Sequence, residues 1–129
     1  MLVVRLITSV ALLATLGACM QSPPPGADYG PYPSDFKGQV QEAIGGSLID
    51  PYSAHYLFGT PQKVYANNGL IYGGNVTMTG YAIPVEVNAK NRFGGYTGNQ
   101  DWVCLYSNGV VVQCLEGTAD DNPLIHSAP

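Results

Sequence analysis

Charge is scarce in this sequence, and basic residues are scarcer still. Only 11% of the 129 residues are charged, and five Lys and Arg stand against nine Asp and Glu, which gives a net charge of −4. The basic residues form no cluster, and a nucleic-acid surface needs one, so that class of partner is excluded. No segment repeats at a period of roughly 20 to 50 residues, which excludes solenoids and propellers.

Catalytic and metal-binding groups are equally few. The two histidines, His55 and His126, lie far apart, and neither accompanies a nucleophile motif such as GxSxG or a zinc motif such as HExxH. Two cysteines without CxxC spacing do not make a zinc site with them. Asp120 and Asp121 form a solvated pair rather than a shaped cation loop. The sequence therefore predicts a protein that is not an enzyme and holds no metal or cofactor.

Apolar and turn-forming residues, in contrast, are plentiful. Hydrophobic residues make up 46% of the chain, including nine Tyr, and there are 16 Gly and 10 Pro. This composition supplies a core for one small domain and favours turns over long helices.

The first 18 residues have the layout of a secretory leader. Arg5 precedes an apolar run from Leu6 to Leu16, which is shorter than a membrane-spanning helix requires. The string that ends the leader, Leu16-Gly17-Ala18-Cys19, resembles the lipobox of bacterial lipoproteins. The resemblance implies cleavage before Cys19, acylation of that residue, and, with Met20 rather than Asp next, sorting to the outer membrane of a Gram-negative cell, facing the periplasm.

Residues 19–33 are expected to form an extended tether. Five of the thirteen residues from Gln21 to Pro33 are Pro, and Pro-rich segments are semi-rigid spacers. The folded domain is then predicted at 34–118, with residues 119–129 as a flexible C-terminal tail.

The predicted fold class is α+β, with one N-terminal amphipathic helix packed on an antiparallel sheet of four or five strands. Ser34 is expected to cap the helix, and Gly45-Gly46 to end it. Hairpins are predicted around Asn67-Asn68-Gly69 and Ser107-Asn108-Gly109. Pro84 lies inside the long predicted strand 76–89, so an edge or a bulge is expected there because Pro donates no ladder hydrogen bond.

The last hairpin contains Cys104 and Cys114, which are expected to form a disulfide. A three-residue loop would place the two cysteines on one face, whereas a plain two-residue turn would place them on opposite faces. The bond therefore requires an odd loop or a bulge. Export favours its oxidation, and closing so short a loop is worth roughly 2 to 3 kcal/mol.

The densest polar stretch of the chain is residues 88–100, which is the candidate ligand or partner site. Lys90 and Arg92 could meet an anionic group, while Tyr96 and Trp102 could offer flat faces to a sugar or to a partner's apolar side chain. The same glycines and cations could instead serve a tight strand connection and a solvated sheet edge. Both interpretations stay open at this point.

Two strings, Asp50-Pro51-Tyr52-Ser53-Ala54 and VNAKNRFGGYTG at 87–98, resemble a group of small exported bacterial proteins that share DPxSA and VNAKNxFGGYTG. The resemblance covers roughly residues 36 to 112 and implies one domain, but it implies no activity and no catalytic residue. Two functions are therefore expected: a non-enzymatic, lipid-anchored envelope lipoprotein that binds a protein partner, or a module that binds peptidoglycan or another ligand through residues 88–102.

Overall fold

The computed structural model describes residues 19–129, so the predicted leader, residues 1–18, lies outside the described part. Within these residues one α-helix, α1 (Lys37–Gly45), precedes six strands: β1 (His55–Phe58), β2 (Gln62–Asn67), β3 (Val76–Asn88), β4 (Gln100–Ser107), β5 (Val110–Glu116) and β6 (Ile125–Ser127). All strand pairs are antiparallel, in the order β5-β4-β3-β2-β6, and β1 also pairs with β3. The sheet therefore has six strands rather than the four or five predicted.

The helix covers one face of the sheet with a narrow apolar stripe. Val40 and Ile44, one turn apart, are fully buried and pack with Ile83 and Val85 of β3. The helix begins after Phe36, without a side-chain cap, so the prediction that Ser34 caps it is wrong. It ends at Gly45, where the sequence predicts its end.

Pro84 lies in the central strand β3, beside a break between the pairing of β3 with β1 and its pairing with β2. This break explains how a proline is tolerated there. Phe58 pairs with Val85 and Gln62 with Ala82, so three residues, 59–61, lie opposite two residues of β3. The Pro84 carbonyl accepts a hydrogen bond of 2.7 Å from the Gly59 N–H. In an antiparallel strand a residue's nitrogen and carbonyl face the same neighbour, so the missing donor of Pro84 faces this bulge. The edge alternative is wrong, and the bulge alternative describes the structure.

The β4–β5 hairpin carries the predicted disulfide between Cys104 and Cys114. The turn has two residues, Asn108 and Gly109, both with positive φ, and not the three-residue loop considered in the sequence. A register shift at Val112 restores the alignment, because Leu105 pairs with Gln113 while Tyr106 pairs with Val111. The bulge thereby brings the two cysteines directly opposite each other.

The hairpin predicted around Asn67-Asn68-Gly69 is wrong. Leu70–Tyr72 forms a short 3₁₀ turn, and β2 pairs instead with β3, whose first residue, Val76, lies opposite Asn67. The Asn67 side chain is buried and donates hydrogen bonds of 2.8 Å to the Gln21 carbonyl and 2.7 Å to the Gly74 carbonyl. This Asn therefore serves a contact between distant segments and not a tight turn.

Residues 19–33 lie against the domain, which corrects the prediction that this extended segment is a tether outside it. Thr79 of β3 donates a 2.8 Å hydrogen bond to the Asp28 carbonyl, and the Tyr32 ring meets Tyr81 edge-on at 5.6 Å. Tyr29 packs against the helix-side core, and Pro33 is fully buried. The segment thus crosses the same sheet face as α1.

The C-terminal segment is also part of the fold. Residues 125–127 form β6, which pairs with β2, so the prediction of a flexible tail from 119 onwards is wrong there. Ile125 packs with Val64, Val103 and Leu105 on the sheet face opposite α1, and Ala119 joins the same cluster. The chain between β5 and β6 therefore covers part of the second face.

Two glycines allow the packing of β3 against β4 to be tested. A Cβ on Gly80 would fall on the carbonyl oxygen of Tyr106, whereas a Cβ on Gly38, in the exposed first turn of α1, would meet nothing within 4 Å. We expect Gly80→Ala to lower the free energy of unfolding by about 1–3 kcal/mol. Gly38→Ala, the matched control, should raise it by about 0.5–1 kcal/mol. Urea unfolding measures both, and equal effects would contradict the close approach of the strands.

Candidate functional site

The candidate segment 88–98 is a tight hairpin at the end of β3. Lys90 and Tyr96 pair as an antiparallel bridge, and the Asn91 N–H donates a 2.8 Å hydrogen bond to the Gly95 carbonyl. The Asn91 side chain accepts from the N–H groups of Phe93 and Gly95, at 2.9 and 3.2 Å. Gly94 has a φ of 80°, the left-handed conformation that closes this turn. We call residues 88–98 the Phe93 loop.

The Phe93 loop is fixed at its base to the residues that precede β1. The Lys90 N–H donates a 2.9 Å hydrogen bond to Ser53 Oγ, which itself donates to the Asp50 carbonyl at 2.7 Å. The Tyr96 hydroxyl donates to the Ser53 carbonyl at 3.0 Å. The two strings that carry the resemblance, 50–54 and 87–98, are therefore in direct contact.

The proton arrangement at Tyr96 follows from its partners. The Tyr96 hydroxyl has one proton, and the Ser53 carbonyl can only accept it. His55 Nε2, at 2.9 Å from the same oxygen, must then be the donor. The His55 ring also lies 5.4 Å from the Tyr96 ring, and Lys90 Nζ lies 5.5 Å from the centroid of that ring. Tyr96 is thus held by three neighbours.

Phe93 is the most exposed aromatic side chain of the loop. It is 89% exposed, whereas Tyr96 is 46% exposed. Arg92, the adjacent residue, is also exposed. The geometry therefore presents one large apolar ring next to the exposed Arg92 on a hydrogen-bonded turn, while Lys90 lies at the base of the loop over the Tyr96 ring. The sequence analysis identified both cations and Tyr96 as site residues but not Phe93, Ser53 or His55. Phe93 could have been found from its position between polar residues and two glycines.

Trp102 does not offer the ring face that the sequence analysis expects. It is 6% exposed and packs on β4 among Ile83, Val87 and Cys104. Its indole Nε1 is buried without a partner. Trp102 lines two clefts, one of about 160 Å³ with Lys90, Asn91, Thr97 and Glu116, and one of about 400 Å³ with Leu57, Pro84 and Asp101. Ligand sites are typically ~300 Å³ or larger, so the cleft beside the Phe93 loop, at about 160 Å³, is too small to enclose a sugar ring and its substituents.

The remaining polar candidates have structural partners. His126 stacks on Tyr65 at 5.0 Å between ring centroids. Asp121 accepts a 2.7 Å hydrogen bond from the Thr118 hydroxyl, which stabilises the loop after β5. Among residues 19–129, no three His, Cys, Asp or Glu side chains come together as a metal site.

Comparisons with protein-family models, curated proteins and solved structures find no match for this chain. A functional interpretation therefore rests on the sequence and on the geometry of the Phe93 loop. That loop combines an exposed aromatic ring with a fixed backbone, which is an arrangement suited to binding.

The Tyr96 hydroxyl gives a test of how the loop is held. We expect Tyr96→Phe to lower the free energy of unfolding by about 0.5–1 kcal/mol and to speed amide hydrogen exchange within 89–97. The reason is that the variant loses the hydrogen bonds of the hydroxyl with the Ser53 carbonyl and His55 Nε2. Tyr52→Phe is the matched control, since Tyr52 is fully exposed. Unchanged exchange in Tyr96→Phe would contradict this role.

Proposed function

We propose that this chain is a lipid-anchored lipoprotein of the bacterial cell envelope whose domain binds a protein partner through the Phe93 loop. The anchor is proposed on the Leu16-Gly17-Ala18-Cys19 string and on the exposure of Cys19. Met20 after the cysteine supports sorting of the lipoprotein to the outer membrane, on its periplasmic side. No helix within residues 19–129 is long and apolar enough to span a membrane.

The charge of the mature chain supports a lipid rather than an electrostatic anchor. Removal of Arg5 with the leader leaves four basic and nine acidic residues, a net charge of −5. Anionic headgroups repel such a protein. Two or three acyl chains on one residue, in contrast, hold a protein firmly at a bilayer.

The exposed ring of Phe93 is the observation that carries the partner-binding proposal. Aromatic residues and Arg are enriched at the centres of protein interfaces, where a single buried ring contributes much of the affinity. The Asn91 side chain and the Lys90–Tyr96 bridge already fix the loop. A preordered loop loses little conformational entropy on binding, so one aromatic anchor can suffice for a useful affinity.

An envelope glycan such as peptidoglycan is the alternative ligand of residues 88–102. Stacking on a sugar requires an open ring face, and Tyr96 already contacts His55 and Lys90 while Trp102 is buried. Among residues 88–102, Phe93 is the one aromatic ring with an open face, and the cleft beside the loop holds only about 160 Å³. These contacts favour a protein partner over a glycan.

Acylation of Cys19 is tested by mass spectrometry and detergent extraction. We expect the mature protein to carry diacylglycerol and an amide-linked acyl chain on Cys19, and Cys19→Ser to yield an unprocessed protein, or one that is released without detergent. The double variant Cys104→Ala/Cys114→Ala is the control, because it removes the disulfide and keeps Cys19. Unchanged processing and extraction of Cys19→Ser would contradict the anchor.

Partner binding is tested by photocrosslinking in cells from position 93 of the full-length protein. We expect a discrete protein adduct in the membrane fraction, because the Phe93 side chain would lie at the centre of the interface. The matched probe replaces Val112, which is 57% exposed on β5. The same adducts from both positions, or none from either, would contradict the proposal, and glycan adducts from position 93 would favour the alternative.

A further inference from the structure

Three large apolar side chains project together from the turn between β2 and β3. Leu70, Ile71 and Tyr72 are 52%, 94% and 75% exposed. Single exposed apolar residues are ordinary on protein surfaces, but a contiguous group marks a contact surface. We call residues 70–72 the apolar tip.

The apolar tip is held in this exposed position by its own backbone. The Gly74 N–H donates a 2.9 Å hydrogen bond to the Gly69 carbonyl, which closes the turn below the three side chains. Asn68 Nδ2 donates to the Tyr72 carbonyl at 2.9 Å, and Asn68 Oδ1 accepts from the Asn75 N–H at 2.8 Å. The exposure of the tip is therefore built into the fold.

Cys19 lies at the base of this same turn. The Gln21 N–H donates a 2.9 Å hydrogen bond to the Gly74 carbonyl, and Asn67 Nδ2 bridges the Gln21 and Gly74 carbonyls. A Cβ on Gly74 would come within 3.0 Å of the Cys19 carbonyl oxygen. The residue proposed to carry the lipid is thus packed against the loop that bears the apolar tip.

The surroundings of the tip suit a bilayer interface. Residues 64–85 and 19–27 contain no Asp, Glu, Lys or Arg. Leu124, 38% exposed, adds apolar surface beside Gly69, with its Cδ2 3.5 Å from where a Gly69 Cβ would lie. Tyr is a preferred residue at the level of lipid headgroups. A charged side chain would oppose insertion, and segments 64–85 and 19–27 carry none. The acidic residues that precede Leu124, Asp120 and Asp121, lie in the loop after β5, where Asp121 accepts a hydrogen bond from Thr118.

We infer that the apolar tip is a second membrane contact, inserted into the bilayer interface beside the acyl chains of Cys19. The inference rests on the proposed lipid anchor, which supplies the bilayer at this end of the domain. One anchor point leaves a domain free to rotate about it. A second point on a rigid turn fixes which end of the domain faces the lipid.

The test uses the full mature protein, purified with its acyl chains and reconstituted into vesicles of phosphatidylethanolamine and acyl-brominated phosphatidylcholine. Ile71→Trp adds an indole at the tip, where the 94% exposure of Ile71 makes room for it. We expect its added emission to fall by at least about half, because an interfacial apolar segment sits ~5–10 Å into the headgroup and acyl boundary. The unmodified protein gives the background of Trp102, which is buried in the core.

Tyr52→Trp is the matched control, since Tyr52 is fully exposed beside the Phe93 loop, beyond the other end of β3. Strong quenching from position 71 and little from position 52 supports the membrane contact. Equal quenching, none from position 71, or self-association through position 71 without quenching overturns it. Acylation is read separately from the mass of the same sample, so failure of the lipid anchor is distinguishable from failure of the tip.

Discussion

The thirteen-residue strand β3 is the element on which the rest of the structure depends. It pairs with β4 along one side and with β2 and then β1 along the other, so four of the six strands meet through it. Its side chains also contribute to both clusters of the core, because alternate residues face opposite sides of a sheet. Two unusual residues of β3 match their neighbours. Gly80 has no side chain, which allows the Tyr106 backbone to come close, and Pro84 has no N–H to donate, which fits the bulge at 59–61.

Much of this sheet could be predicted because it depends on local patterns. The last hairpin, the disulfide and the long strand all follow from alternating apolar residues and from turn residues such as Asn108-Gly109. The strand β6 could not be predicted, since Ile125–Ser127 is three residues long and is ordered only by pairing with β2. The pattern at Asn67-Asn68-Gly69 was misleading for a related reason: the Asn67 side chain bonds to the distant Gln21, and no local rule reports such a contact.

The N-terminal segment shows how composition and packing can disagree. Its prolines predict an extended spacer, and in the structure residues 19–33 form no helix or strand. Tyr29 and Tyr32, however, meet the sheet, and Lys63 Nζ lies 5.8 Å from the centroid of the Tyr29 ring. A Pro-rich segment loses little conformational entropy when it packs on the domain, so a few aromatic contacts are enough to hold it. The candidate site shows the same limit, because the contact of Ser53 with Lys90 and Tyr96 joins segments more than thirty residues apart.

The docked segment changes what the proposed lipid anchor would do. A free tether of fifteen residues would let the domain reach any direction from the membrane. With the segment packed, Cys19 is fixed near the start of β3, and the Phe93 loop follows directly after its end. A strand rises ~3.3 Å per residue, so β3 separates the two by about 40 Å. The domain itself would then act as the spacer, and the height of the partner-binding loop would be set by the length of one strand rather than by the flexibility of a linker.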